Sequence, residues 1–173
     1  MRRYLFALLL LFPVVSFAQP WKNFTDTAGK FTAKYPPDWV NKIKENNRVF
    51  FTSPSAGDGD NFLENINISV TTKAGYGTEL KLNDVIPAVV DALKDQLDEF
   101  NEESRRVFKW NNVDAAEIIY TGYSKLDPSF KVRTIQWYCF HKSRLYIVTF
   151  VSEAAKTTHN ATAGKIMKSI LFK

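Results

Sequence analysis

Cysteine and histidine carry much of the nucleophilic and proton-transfer chemistry available near neutral pH, and this chain has one Cys and two His. Cys139 and His141 are two residues apart, so on a strand they would share a face with Ile135 and Trp137. An imidazole beside a thiol can activate it. Here, however, Trp137, Tyr138 and Phe140 flank the cysteine, the setting of a small buried hydrophobe. His159 stands well apart from both. The expectation is an inert thiol and no catalytic site.

Two other groupings offer chemistry of a different kind. The loop "GDGDN" gathers Asp58, Asp60 and Asn61, oxygen ligands suited to a hard cation. A calcium loop of that register needs a further ligand and then a glycine where Phe62 and Leu63 stand, so a solvated turn is expected, with no metal. Arg105, Arg106 and Lys109 lie beside Trp110, and Lys131, Arg133, Lys142 and Arg144 gather near one hairpin. Interleaved bases and aromatics can bind single-stranded nucleic acid. Glu102 and Glu103 dilute the first cluster, so both read as charged surface, with no nucleic-acid partner and no cofactor.

The elements that must position these residues are mostly strands. "FTAKY" puts Phe31, Ala33 and Tyr35 on one face, and Pro36-Pro37 then turns the chain toward Trp39. Tyr35 and Trp39 therefore read as core. Trp39 to Lys44 and "RVFFTS" form a hairpin through Glu45-Asn46-Asn47. In "FLENINISVTT" the residues Phe62, Ile66, Ile68 and Val70 oppose Asn65, Asn67, Ser69 and Thr71.

The period changes between Asp84 and Phe100, where Ile86, Val89, Val90, Leu93, Leu97 and Phe100 recur at helical spacing. Asn83 is the expected cap, placing Pro87 in the first turn. Four further strands are predicted, "SRRVFKW", "VDAAEIIYTGY", "KVRTIQWYCF" and "RLYIVTFV", joined by Asn111-Asn112, a longer Leu126-Asp127-Pro128 loop, and His141-Lys142-Ser143. The last strand is apolar on both faces and should be central. Ala163, Ile166, Met167 and Ile170 mark a second helix. This order predicts an α+β fold, an antiparallel β-sheet flanked by helices.

At the N-terminus, Arg2 and Arg3 precede an apolar run from Tyr4 to Val15 and then Ser16-Phe17-Ala18. That pattern predicts a cleaved signal peptide, residues 1–18, with the exported chain starting at Gln19. Cleavage removes two of 23 cationic residues and none of the 18 acidic ones, lowering the formal net charge of +5 by two. The remainder, 19–173, fits one domain at ~100–200 residues per domain. A single cysteine allows no internal disulfide. The expected location is periplasmic or secreted, without stable membrane insertion after cleavage.

The segments "GKFTAKYPPDWV", "ENINISV", "NNVDAAEIIYTGY", "RLYIVTFVSE" and "IMKSILF", in that order, resemble the PsbP-like superfamily. It includes the photosystem II extrinsic subunit PsbP, bacterial DcrB-like envelope proteins and a eukaryotic regulator that binds the Ran GTPase. The resemblance implies an α/β/α sandwich that acts by binding other proteins, with no active site. The expected role is an exported, non-catalytic protein-binding or assembly module of the cell envelope, its partner another envelope protein. The alternatives are a carrier of a small apolar ligand between sheet and helix, and a photosystem II extrinsic-type subunit. The contact is expected on "GDGDN" and "AGYGTE", at Asp58, Asp60 and Tyr76, with the basic hairpin clusters next in line.

Overall fold

The computed structural model describes residues 19–44 and 48–173. The expected leader, 1–18, and the Glu45-Asn46-Asn47 turn lie outside the described residues. Among these described residues, alternating apolar side chains produce ten strands. β1 (Lys22–Asp26), β2 (Phe31–Tyr35) and β10 (Leu171–Phe172) form a small sheet in the order β1-β2-β10. The large sheet holds β3 (Val40–Lys44), β4 (Arg48–Thr52), β5 (Asn65–Thr72), β6 (Leu97–Trp110), β7 (Val113–Ser124), β8 (Asp127–His141) and β9 (Arg144–Glu153). Its order is β3-β4-β5-β9-β8-β7-β6, antiparallel throughout. As its two-sided apolar pattern requires, β9 is the middle strand.

Each face of the large sheet has its own core. On one face α2 (Asn160–Ser169) and β2 deliver Ala163, Ile166, Met167, Phe31 and Ala33 onto Phe51, Ile68, Tyr146, Val148 and Cys139. Tyr35 and Trp39 belong to this core, so "YPPDW" is a packed corner; the Trp39 N–H donates to the Pro36 carbonyl at 3.2 Å to close it. On the other face α1 (Leu82–Gln96) lays Leu82, Ile86 and Val90 over Ala116, Ile118, Tyr120 and Tyr138. The result is the expected α+β sandwich.

Several boundaries differ from expectation for identifiable reasons. α1 begins at Leu82 with Lys81 as N-cap in place of Asn83, so Pro87 falls in the second turn. The Lys81 N–H donates to the Asp84 carboxylate at 3.0 Å. The helix stops at Gln96, and Leu97 and Phe100 meet the same core from β6. Two register shifts, between Asp98 and Asn101 and between Glu102 and Ser104, displace side chains from strict alternation, and this bulging imitates helical spacing. Asp127 and Pro128 open β8 instead of forming a loop, since proline is tolerated where a strand starts. β1 and β10 are short additions missed in the pattern. Asn111-Asn112 and Lys142-Ser143 all have positive φ, matching two-residue hairpin turns that follow the sheet's twist.

Candidate functional site

One end of the large sheet collects the β6–β7 turn, the β8–β9 turn, the N-terminus of α1 and the loop from Lys73 to Lys81. Gly75 and Gly77 have φ values of 86° and 83°, a conformation that L side chains rarely adopt. That permits the Gly75 carbonyl to accept from the Glu79 and Leu80 N–H groups at 2.9 and 3.1 Å. A Cβ on Gly77 would lie 3.1 Å from the Phe140 Cβ, so the glycine also lets the loop rest on β8. The Tyr76 ring packs on Phe140 with centroids 5.2 Å apart.

Between this loop, α1 and the β6–β7 hairpin opens a cleft of about 500 Å³, within the ~300–1,000 Å³ usual for binding sites. Leu82, Val113 and Phe140 supply apolar lining, while Lys81, Asn83 and Asp114 bring polar groups. Val107, in the outermost strand, lines the cleft and is 64 % exposed. Asp114 pairs with Lys109 at 2.8 Å, both side chains largely exposed. This lining carries no thiol, imidazole or pair of carboxylates, and it has room for a side chain or a small molecule.

The expected contact residues divide between two ends of the sheet. Tyr76 is not in the cleft lining but packs beside it, on the lining Phe140 and next to the lining Gly77. Asp58 and Asp60 lie on the loop before β5, separated from Tyr76 by that strand of eight residues, roughly 26 Å at ~3.3 Å per residue. Asp58 is exposed, whereas the Asp60 side chain is only 6 % exposed. Lys156 Nζ and the Ala56 N–H both donate to Asp60 at 2.8 Å, and these bonds, Lys156 first, hold its carboxyl below the usual carboxylate range. Asp60 thus ties its loop to the segment after β9. Among the described residues no group of three or more His, Cys, Asp or Glu is placed to hold a metal ion.

Cys139 is fully buried, and burial pushes its thiol up to about 12. His141 stacks on Phe172 at 5.4 Å; burial first, then Lys142 and Arg144, lower its pKa. A second polar group, absent from the sequence reading, surrounds Glu64, which is 2 % exposed. Ser53 Oγ donates to Glu64 at 3.1 Å, and His159 Nε2 lies 3.9 Å from the same oxygen. The acid stands between Ser and His, whereas an activated serine needs the imidazole beside its own oxygen. The cluster closes the loop before β5 against the start of α2.

Glu117 is likewise buried and structural. Trp137 Nε1 donates to it at 2.7 Å and Arg106 Nε at 2.5 Å. Neither glutamate was legible, because an isolated charged residue in or next to a strand normally marks the solvent face. Near the cleft, the flanking glycines drew attention to Tyr76, which adjoins the lining Gly77 without itself lining the cleft. Val107 and Phe140 gave no signal, since each reads as an ordinary inward position of a strand.

The architecture is that of a PsbP-like fold. Solved structures sharing it include cyanobacterial PsbP from Synechocystis sp. PCC 6803, with TM-score 0.62 and 11 % identity over 92 % of this chain and 96 % of that one. PA94 of Pseudomonas aeruginosa, a protein of unknown function, gives 0.64 and 14 % over 88 % and 97 %. The Saccharomyces cerevisiae Ran-binding protein Mog1p gives 0.58 and 8 % over 88 % and 95 %. At these identities the likeness defines the fold. No family model and no curated protein matches the chain.

Proposed function

We propose that this protein is an exported, non-catalytic binding module of the cell envelope, and that its protein partner docks at the cleft end of the large sheet. The observation that carries this reading is the cleft itself, where Leu82, Val113, Phe140 and the exposed Val107 stand beside the polar Lys81, Asn83 and Asp114. Interfaces concentrate their affinity where a large side chain of one partner fills an apolar pocket of the other. Export rests on the order of charged, apolar and small residues before Gln19. A fold-sharing protein, Mog1p, is described as Ran-binding, which supports protein recognition on such a scaffold.

The test starts from tagged protein recovered from its own envelope fraction, whose intact mass should correspond to a chain beginning at Gln19. Capture of a partner should then be lost in Val107→Asp, a change on an exposed position that leaves folding intact. Unchanged capture by that variant would move the contact away from the cleft. Retention of residues 1–18 would end the export reading. The cleft volume also suits the second reading, a small apolar ligand. Co-purification of such a molecule with the wild-type protein, but not with Val107→Asp, would favour it over a protein partner.

A further inference from the structure

We propose that the Ser104–Trp110 half of β6 is a strand-addition edge that receives an extended acidic segment of the partner, with one apolar side chain of that segment seated beside Val107 in the cleft. This rests on the docking reading above and specifies its chemistry. Among the described residues β6 ends the large sheet, hydrogen-bonded to β7 on one side only, so its outer backbone groups face away from the ladder. An exposed edge of this kind templates another strand unless it is blunted.

The two halves of β6 differ. The first is bulged, with Glu99 at φ 50° and register shifts on either side of Asn101–Glu102, and bulges protect edges. From Ser104 to Trp110 the strand pairs with β7 residue for residue, Ser104 opposite Ile119 through Trp110 opposite Val113. That half is the regular one. The opposite edge, β3, has only five residues and carries Lys42 and Lys44. Its exposed Val40 and Ile43 are three apart and fall on opposite faces.

Charge selects the occupant. Ser104–Trp110 contains Arg105, Arg106 and Lys109 and no acid. Arg106 is committed to buried Glu117 on the far face. Arg105 and Lys109 share the cleft face with Val107, two residues to either side, and Lys81 adds a cation at the cleft. The present partner of Lys109, Asp114, makes an exposed pair of small net worth that can be exchanged, whereas Glu102 holds Arg105 through two bonds of 2.9 and 2.8 Å and is the carboxylate an incoming acid must displace. An incoming strand with acidic residues flanking an apolar one matches this pattern in both charge and spacing. A bilayer or a nucleic acid offers the charge but no backbone to extend the sheet.

The experiment uses the chain starting at Gln19 and three probes: a short acetylated peptide with Glu two residues to either side of a single Val and Thr between them, so that acids and Val share one face, the same peptide N-methylated at the Val and at the residue after it, which blocks both edges, and its Lys/Val counterpart with Lys for both Glu. The acidic peptide should shift backbone amide signals of Ser104–Trp110 in NMR titration. The N-methylated form should bind about tenfold or more weakly. The double variant Arg105→Glu, Lys109→Glu should reverse the preference toward the Lys/Val peptide. Equal binding of parent and N-methylated peptides overturns strand addition, as does equal binding of the Lys/Val peptide to wild type. Preferential binding of phosphatidylglycerol vesicles or oligothymidylate overturns the acidic peptide as occupant. If the peptides fail while Val107→Asp still abolishes capture, the docking site stands and the strand-addition proposal alone falls.

Discussion

Cys139 shows how burial decides what a reactive residue can do. It sits on β8 in the core shared with Trp137 and Tyr146, with no exposed surface, and its thiol is pushed up to about 12. Little thiolate exists at neutral pH, and a reagent has no path to it. A thiol-specific reagent should therefore label the native protein only after denaturant is added; rapid native labelling would overturn the placement. The same burial acts on Tyr120, raised to about 12, and on Tyr138, raised still further. Each of these folded values lies above its unfolded one, so the associated stability is intact below about pH 9 and is lost as pH climbs toward 12. For Tyr120 a rise of two units corresponds to about 3 kcal/mol. Unfolding free energy should fall steeply above pH 10, less so in Tyr120→Phe, and tyrosinate absorbance should appear together with unfolding. Parallel pH profiles of wild type and Tyr120→Phe would count against it. The aromatic flanks of Cys139 made its burial legible from the sequence. The depth of Glu64 and Glu117 was not, because what buries them is the partner each finds across the fold.

At the level of elements, the segment from Leu82 to Trp110 is where local pattern and tertiary structure conflict. Helical spacing continues through Leu97 and Phe100, yet the chain leaves α1 at Gln96 and runs straight into β6. Pairing with β7 prevails, and both residues still reach the core beneath α1. Gly122 permits the crossing: a Cβ there would lie 3.1 Å from the Asp98 carbonyl oxygen and 3.2 Å from the Leu97 Cβ. The earlier start of the helix leaves Pro87 in its second turn, where the ring removes a backbone donor and crowds the preceding turn. Pro87→Ala should therefore stabilise the protein by about 1–3 kcal/mol, the usual range for relieving an interior helical proline, read as a higher denaturant midpoint at unchanged slope. A lower midpoint would show that the proline is needed where it stands. The regular strands were legible because one face of each is dry. The bulged half of β6 was not, because bulges erase the alternation by which strands are recognised.

Across the whole molecule the two faces of the large sheet are unequally secured. On one side α2 contributes Ala163, Ile166 and Met167, all essentially without exposure, and the small sheet closes over the same core. On the other, α1 is held through Leu82, Ile86 and Val90, each slightly exposed, over a smaller cluster. Layer order was legible from the alternation of strand and helix signals; this inequality was not, since it depends on which helix shares its face with the small sheet. Opening free energies follow the apolar contact a segment must break. Amide hydrogen exchange should find β9 and α2 opening only with global unfolding, and α1 opening earlier, by a local route. The N-terminus of α1 is also one wall of the cleft, through Leu82 and Asn83. A partner seated there binds neither the opened helix nor the unfolded chain, so it should slow exchange across α1 and, by the same factor, that of β9. Exchange of α1 as slow as that of β9 in the free protein would mean that α1 has no local route and that the cleft wall is fixed before any partner arrives; exchange of α1 left unchanged by a partner that slows β9 would place the contact away from the helix.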